Sequence, residues 1–133
     1  MVRFTSATSI FCVFVYLLMT TCLSKFHINI TNRLPNPPLI LHCKSKDDDL
    51  GYHNLTINQL YTWSFRDNFW DTTLFWCNFW YNRKHAGFDV YNRHIRCDNT
   101  CYYEARIDGF YLSKTQEPGS WQKISPWNNS SMP

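Results

Sequence analysis

The sequence is built from short segments in which apolar and polar side chains alternate, and turn-forming residues separate these segments. Alternation with a period of two is the pattern of a β-strand that has two differently solvated faces. No stretch shows the periodicity of an amphipathic helix. The sequence therefore predicts an all-β fold, a small antiparallel β-sandwich of about eight strands. The predicted strands are residues 26–31, 39–44, 61–66, 72–81, 88–91, 102–107, 110–112 and 121–124.

The second of these segments ends in an acidic stretch. Leu41 and Cys43 alternate with His42, and three consecutive aspartates, Asp47–Asp49, then break the strand pattern. Aspartate is depleted in strands and bonds its own backbone, and Gly51 permits the positive φ that a turn often needs. We predict a solvated, locally hydrogen-bonded turn here.

A calcium-binding loop is the alternative for the acidic stretch. Gly51 follows Asp47 by four residues rather than five, and no glutamate stands at the twelfth position of such a loop. We therefore expect no metal ion at this turn, and we expect Leu50 to anchor it.

The first 24 residues have the composition of a cleaved signal peptide. A short basic start precedes an apolar run over residues 10–19, and small residues stand three and one positions before a cleavage point after Ser24. A membrane anchor is the alternative, but the apolar run is well short of the ~20 residues that span a bilayer. We predict a secreted, extracellular mature chain, residues 25–133, that forms one domain with a loose tail from residue 125 and has no membrane insertion.

Four cysteines remain after cleavage: Cys43, Cys77, Cys97 and Cys101. An even number of cysteines in an oxidising compartment favours two disulfides over a zinc site. Their connectivity stays open, because four cysteines allow three pairings. A bridge from Cys43 to a distant strand would close a long loop and stabilise the fold by ~3–4 kcal/mol.

N-glycosylation signals support secretion independently. Asn29, Asn54, Asn128 and Asn129 each begin an Asn-x-Ser/Thr sequence, and the last two overlap. We predict these asparagines as glycosylation sites, with the pair at the tail counting as one opportunity.

Composition and motifs argue against several functional classes. The net charge is +3 and falls to +2 without Arg3, and basic and acidic residues are interspersed, so we expect no nucleic-acid partner. There is no serine nucleophile elbow, no His-Glu-x-x-His motif and no glycine-rich phosphate loop. We therefore predict that the chain is not an enzyme and needs no cofactor. The candidate general bases, none in a recognisable catalytic motif, are His27, His42, His53, His85 and His94.

Four segments together resemble the plant self-incompatibility protein homologues. They follow one another in order along the predicted mature chain. They are His42-Cys43-Lys44-Ser45-Lys46-Asp47-Asp48-Asp49-Leu50-Gly51, the Thr-Thr-x-Phe-x-Cys pattern in residues 72–80, Phe88-Asp89-Val90-Tyr91, and Cys97-Asp98-Asn99-Thr100-Cys101 leading to the hairpin signal Asp108-Gly109.

The resemblance implies a secreted, disulfide-stapled β-sandwich that is not an enzyme. It implies an extracellular signalling ligand for a cell-surface receptor protein, in self-incompatibility or another form of cell–cell recognition. We expect a monomer that contacts its receptor through loops 47–54, 92–96 and 113–120, because loops tolerate the variation that partner choice requires.

The alternative function is a carbohydrate-binding module of the cell-wall lectin type. Tryptophan rings stack on sugars, but in a small sandwich we expect most of them in the core or against a disulfide. The candidate rings are Trp63, Trp70, Trp76, Trp80, Trp121 and Trp127.

Overall fold

The computed structural model describes residues 12, 13, 15, 25–67, 70, 72–115 and 120–129. Within these residues ten strands form two five-stranded sheets that enclose one core. The predicted all-β sandwich is confirmed, with ten strands in place of about eight. The strands are β1 (Lys25–Asn32), β2 (Leu39–Ser45), β3 (Asp49–Leu55), β4 (Leu60–Arg66), β5 (Phe75–Tyr81), β6 (Lys84–Tyr91), β7 (Thr100–Arg106), β8 (Gly109–Ser113), β9 (Gln122–Ser125) and β10 (Asn128–Asn129).

The two sheets draw on different parts of the chain. Sheet A has the strand order β4-β1-β7-β8-β9, and sheet B has the order β10-β6-β5-β2-β3. All pairings are antiparallel except that of β1 with β7, which is parallel. The predicted antiparallel sandwich is confirmed for the other seven pairs. The parallel pair was not predicted, because alternation defines the faces of a strand but not the direction of its neighbour.

The predicted loop at residues 47–54 is mostly a strand. Only residues 46–48 connect β2 to β3, and β3 then pairs along β2 as an edge strand of sheet B. Gly51 has a φ of 80°, and the register shifts nearby between His42 and Lys44. This irregularity lets β3 begin at Asp49, inside the acidic stretch. The low strand propensity of aspartate alone predicts a break there.

Several other boundaries differ from expectation. β5 begins at Phe75 rather than residue 72, and β6 begins at Lys84, four residues before the predicted start. Arg106 pairs with Gly109, so the two-residue hairpin loop is Ile107–Asp108 rather than Asp108–Gly109. The expected loose tail contributes β9's last residue and β10, while residues 130–133 lie outside the described part of the chain.

The core lies between the sheets. In β5 the residues Phe75, Cys77, Phe79 and Tyr81 are buried, and the intervening side chains point to the opposite face. Buried aliphatic and aromatic side chains from both sheets complete the core. The apolar area that these side chains remove from water is the main source of stability in so small a domain.

The structure contains two disulfides, Cys43–Cys77 and Cys97–Cys101. Cys43 and Cys77 lie directly opposite each other on β2 and β5, with their Cα atoms 4.0 Å apart. The second bridge ties the loop after β6 to β7. Among the described cysteines, none links sheet A to sheet B covalently.

Candidate recognition surfaces

The strand registers bring the acidic turn, the loop after β6 and the segment after β8 to one end of the sandwich. Residues 49–54 of the predicted recognition loop 47–54 instead run along β2 as part of β3. In sheet B, Phe75 pairs with both Ser45 and Tyr91, so the turn after β2 and the loop after β6 start side by side. The rings of Phe65 and Phe75 lie 4.7 Å apart and align this end of sheet B with the end of β4. In sheet A, Ser113 pairs with Tyr102 near the start of β7, which puts the segment after β8 at the same end.

We call this region the loop end. It comprises residues 46–48, 92–99 and the described parts of 67–74 and 114–121. Residues 116–119 of the predicted loop 113–120 lie outside the described part of the chain.

The acidic turn is held by local hydrogen bonds, in agreement with the prediction. The backbone N–H of Ser45 donates to the carbonyl of Asp48 (2.8 Å), and the N–H of Asp48 donates to Ser45 Oγ (3.1 Å). Leu50 packs against the core, as predicted. Asp47 and Asp48 are exposed on this turn.

Asp49 belongs to β3 and is positioned differently from the other two aspartates. Its Oδ1 accepts the backbone N–H of Gly51 (2.9 Å) and lies 2.6 Å from Nε2 of His42. The Gly51 hydrogen bond, followed by the contact with His42, lowers the pKa of Asp49 below its usual value. Asp49 therefore stays ionised and holds His42 in place on the outer face of sheet B.

A cleft of about 590 Å³ opens at the loop end. It lies between the acidic turn and the segment that leads into β5, and its lining combines carboxylates, a guanidinium group and aromatic rings. The neighbouring loop is ordered by Asn92, whose Oδ1 accepts the backbone N–H groups of His94 (2.8 Å) and Ile95 (3.1 Å). The loop end thus presents fixed side chains of both charges.

A second surface covers the outside of sheet B. Here the ring of His42 stacks on Tyr52 at 4.2 Å, and Tyr52 lies 5.9 Å from Trp80. Trp80 in turn lies 5.6 Å from His85 on the next strand. Tyr52 is 66% exposed. We call this surface the aromatic face, and it consists of His42, Tyr52, Trp76, Asn78, Trp80 and His85.

A hollow of about 380 Å³ lies at one side of the aromatic face. Trp76 and Asn78 of β5, His85 and Asp89 of β6 and Asn128 of β10 line it, together with Gly87. The Nε2 atom of His85 lies 3.1 Å from Oδ1 of Asn78. The hollow therefore combines one aromatic wall with amide, imidazole and carboxylate groups.

The outside of sheet A has a different character. Glu104 pairs with Arg33 (3.0 Å) and with Arg106 (2.9 Å), and the guanidinium of Arg106 lies 4.0 Å from the ring centroid of Tyr111. Ion pairs of this kind on a solvated face contribute little to stability. The two outer faces thus differ in chemistry, and the aromatic one belongs to sheet B.

The tryptophans do not follow our expectation of burial. Trp63 and Trp127 pack against the core, whereas Trp76 and Trp80 lie on the aromatic face. Trp121 lies near Arg106 at the edge of sheet A, 5.4 Å from its guanidinium, and Trp70 is 76% exposed. Both faces of β5 are bulky, so the sequence did not reveal which rings point outward.

The five histidines do not assemble into one site. His42 contacts Asp49 and Tyr52, and His85 contacts Asn78. His53 lies 2.8 Å from the carbonyl of Leu50 and stacks on Tyr61, His94 is in the loop after β6, and His27 is on the outside of sheet A. Within the described ranges, no three His, Cys, Asp or Glu side chains are grouped as metal ligands would be.

A comparison with known protein families shows to which family the chain belongs. The model of the plant self-incompatibility protein S1 family matches residues 27–127, which span every strand except the last and the first two residues of β1. The chain belongs to this family. The resemblance stated from the four sequence segments is confirmed.

Relatives in the self-incompatibility family are found in Arabidopsis thaliana. S-protein homolog 5 is 40% identical over 85 residues, which cover 62% of this chain and 66% of that protein. S-protein homolog 29 is 35% identical over 109 residues, which cover 79% of each chain. The chain thus matches about two thirds to four fifths of the length of these relatives.

A solved structure supports the fold of the family. It is described as that of "SPH (Self-Incompatibility Protein Homologue) proteins, a widespread family of small, highly stable, secreted proteins from plants". Its TM-score is 0.65 at 21% identity, over 81% of this chain and 98% of the other. The secreted, extracellular location predicted for this family member agrees with that description.

The predicted leader and glycosylation sites stay predictions. Residues 1–24 are outside the described part of the chain apart from 12, 13 and 15, and no helix within the described residues is long and apolar enough to span a membrane. Asn54, Asn128 and Asn129 are exposed at the edges of sheet B. Asn29 is half-buried in β1, where its Oδ1 accepts the hydroxyl of Thr62 (2.5 Å).

Proposed function

We propose that this self-incompatibility family member is an extracellular signalling ligand that a cell-surface receptor protein recognises at the loop end. The observation that supports the proposal is the gathering of the acidic turn, the loop after β6 and the segment after β8 at one end of the sandwich. A receptor that docks there meets all three segments at once. Self-incompatibility is one process in which such a ligand would act.

The loop end has the properties that selective protein recognition requires. In the acidic turn and the loop after β6, the Ser45 and Asn92 hydrogen bonds and the Cys97–Cys101 bridge hold the backbone, so little ordering entropy is lost there on binding. Exposed charges of both signs line the cleft, including Asp47, Asp48 and Arg66, and Arg93 is exposed on the neighbouring loop after β6. Charge complementarity of this kind selects one partner over related ones.

The role is that of a binding protein rather than a catalyst. His42 is held by Asp49 and stacked on Tyr52, and the other histidines lie apart from it. General acid–base catalysis requires such groups to converge on one reacting position. We therefore place the function in the surface shape and charge of the loop end.

The experiment measures binding of labelled, secreted protein to intact plant cells, pollen included. Saturable binding that unlabelled protein displaces is expected for the native chain. The loop-end variants Asp47→Lys with Asp48→Lys, and Arg93→Glu, are expected to weaken it. The matched control is Arg83→Glu, an exposed charge reversal in the turn between β5 and β6 at the opposite end.

Chemical crosslinking on the cells then identifies the partner. One plasma-membrane protein captured by the native chain and by Arg83→Glu, but not by the loop-end variants, supports the proposal. Equal capture by all four proteins contradicts it, because recognition would then lie elsewhere on the surface.

A further inference from the structure

We propose that the hollow on the aromatic face binds an uncharged pyranose sugar, as part of an oligosaccharide that extends across sheet B. The hollow is separate from the loop-end cleft apart from Trp76, which borders both. The proposal is independent of the receptor-ligand role, and either can fail without the other.

Gly87 forms the floor of the hollow. A Cβ atom at this position would lie 2.6 Å from Oδ1 of Asn78, well inside van der Waals contact. Any larger residue would displace the Asn78 side chain and fill the space. The absence of a side chain on β6 is thus what leaves room between the ring of Trp76 and the edge strand β10.

The groups around this space match the chemistry of a sugar ring. A pyranose has an apolar face of C–H groups, which stacks on an aromatic ring, and a rim of hydroxyls, which both donate and accept hydrogen bonds. Trp76 supplies the ring. Asn78, His85 and Asn128 supply hydrogen-bonding groups, and Asp89 supplies a carboxylate acceptor.

The charges on this face already have partners. Lys44 Nζ lies 5.8 Å from the ring centroid of Trp76, and Asp49 is bonded to His42 and Gly51. Asp89 Oδ2 accepts the side-chain amide of Asn92 (3.2 Å). An uncharged ligand therefore suits the face better than an anionic one, which would meet Asp89 and Asp49 at either side.

The aromatic face also has the length for more than one sugar. Tyr52, His42, Trp80 and His85 stand on four adjacent strands, β3, β2, β5 and β6. The ring of Tyr52 contacts both His42 (4.2 Å) and Trp80 (5.9 Å), and Trp80 contacts His85 (5.6 Å). Adjacent strands are about 4.8 Å apart, so the row spans roughly 14 Å. An oligosaccharide that enters the hollow can continue over these rings.

The chain's own glycans are the competing occupants, because the sequons of Asn54 and Asn128 lie at the two edges of the same face. The test removes them without altering either asparagine. The substitutions Thr56→Ala, Ser130→Ala and Ser131→Ala abolish the three sequons on this side of the molecule. This sequon-free chain is the background for every measurement.

The probes are cellohexaose, mannohexaose and a xyloglucan oligosaccharide, with an oligogalacturonate as the anionic counterpart. Calorimetry and tryptophan fluorescence report binding. We expect saturable binding of at least one neutral probe. Trp76→Ala and Gly87→Ala should each weaken it by about tenfold or more, whereas Trp121→Ala, at the edge of sheet A, should leave it unchanged.

Three outcomes overturn the proposal. They are no binding of any neutral probe at millimolar concentration, equal affinity in the sequon-free chain with and without Trp76→Ala, and binding of the oligogalacturonate alone that is lost at high salt. Trp76 is an outward side chain, so its replacement leaves the core intact and keeps the test valid if Gly87→Ala fails to fold. Loop-end variants should bind the sugar normally, which separates this proposal from the receptor proposal.

Discussion

The hydroxyl of Tyr103 donates a hydrogen bond of 2.7 Å to the carbonyl oxygen of Val90, and this bond crosses from sheet A to sheet B. Both residues are fully or almost fully buried. No disulfide among the described residues connects the sheets, so this bond and the shared apolar core hold one sheet against the other. The hydroxyl of Tyr81 also donates to the carbonyl of Pro35, in the connection between β1 and β2 (3.0 Å).

Replacing Tyr103 by phenylalanine should lower the free energy of unfolding by about 1–3 kcal/mol. The ring still fills its place, but the carbonyl of Val90 is left buried without its partner. Urea unfolding followed by fluorescence measures the change. Tyr102→Phe is the control, because Tyr102 points to the outside of sheet A and its loss should cost little. Equal stability of native chain and Tyr103→Phe would contradict the prediction.

Tyr103 should also make the fold sensitive to alkali. Burial, with a smaller contribution from Asp89, raises the pKa of Tyr103 well above its usual value. Below about pH 10 the phenol is neutral in both folded and unfolded chains. Above that pH the unfolded chain loses the proton first, so the free energy of unfolding falls as pH rises. The slope of stability against pH above 10 should be shallower in Tyr103→Phe.

The Asp49–His42 pair should appear in acid titration. Because the Gly51 hydrogen bond and then His42 lower the pKa of Asp49, its stabilising contribution is present above the unfolded pKa and is lost as pH falls through the folded one. NMR of the carboxyl carbon should place its midpoint below the ordinary 3.8. His42→Gln should raise the midpoint only partly, since the Gly51 bond persists. A midpoint unchanged by His42→Gln would exclude the contact.

The two disulfides should contribute unequally. They join residues 34 and 4 positions apart. In the chain-entropy model the longer loop is worth about 4 kcal/mol and the shorter about 2 kcal/mol. Chemical unfolding of the paired variants Cys43→Ala with Cys77→Ala, and Cys97→Ala with Cys101→Ala, measures this difference. Mass spectrometry of unreduced peptides checks the pairing, and peptides that join Cys43 to Cys97 or Cys101 would refute it.

Asn32 should be the most sensitive polar residue of the core. Its Nδ2 donates to the carbonyl of Leu55, and its Oδ1 accepts the N–H of Leu34, each at 2.9 Å. Asn32→Ala leaves both groups buried and unpaired, and we expect a loss of about 2–4 kcal/mol. Thermal unfolding measures it. Asn58→Ala is a less suitable control because Asn58 has a positive φ, so exposed Gln122→Ala serves instead.

The sequence predicted the sandwich but not how its faces are used. In β5, alternation separates Phe75 and Cys77 from Trp76 and Asn78, but both sets are bulky, and only the fold shows that the tryptophans face outward. The hollow was missed because the predicted strand began only at Phe88, whereas β6 extends back to Lys84 and brings Gly87 opposite Asn78. A glycine between His85 and Asp89 is the one local signal that a space lies there.

The loop end was predicted as three loops without a common location. Their convergence depends on registers such as that of Phe75 with Ser45 and Tyr91, and no local pattern contains this information. The acidic turn was predicted correctly because Ser45 and the aspartates form it locally. Asn32 falls just outside the predicted first strand, residues 26–31, although it ends β1 and its partner Leu55 is 23 residues away.

Because β1 pairs in parallel with β7, sheet A cannot be complete until the C-terminal part of the chain has been synthesised. His27 pairs with Thr100, so the edge of β1 that faces β7 stays unpaired until residue 100 has been synthesised. Most of sheet B is available earlier, because β2, β3, β5 and β6 come from residues 39–91. Contacts between distant parts of a chain form late. Until β7 emerges, β1 has an open edge, and we expect the predicted sequon at Asn29 to be most accessible to glycosylation during this interval. Closure of sheet A ends that interval.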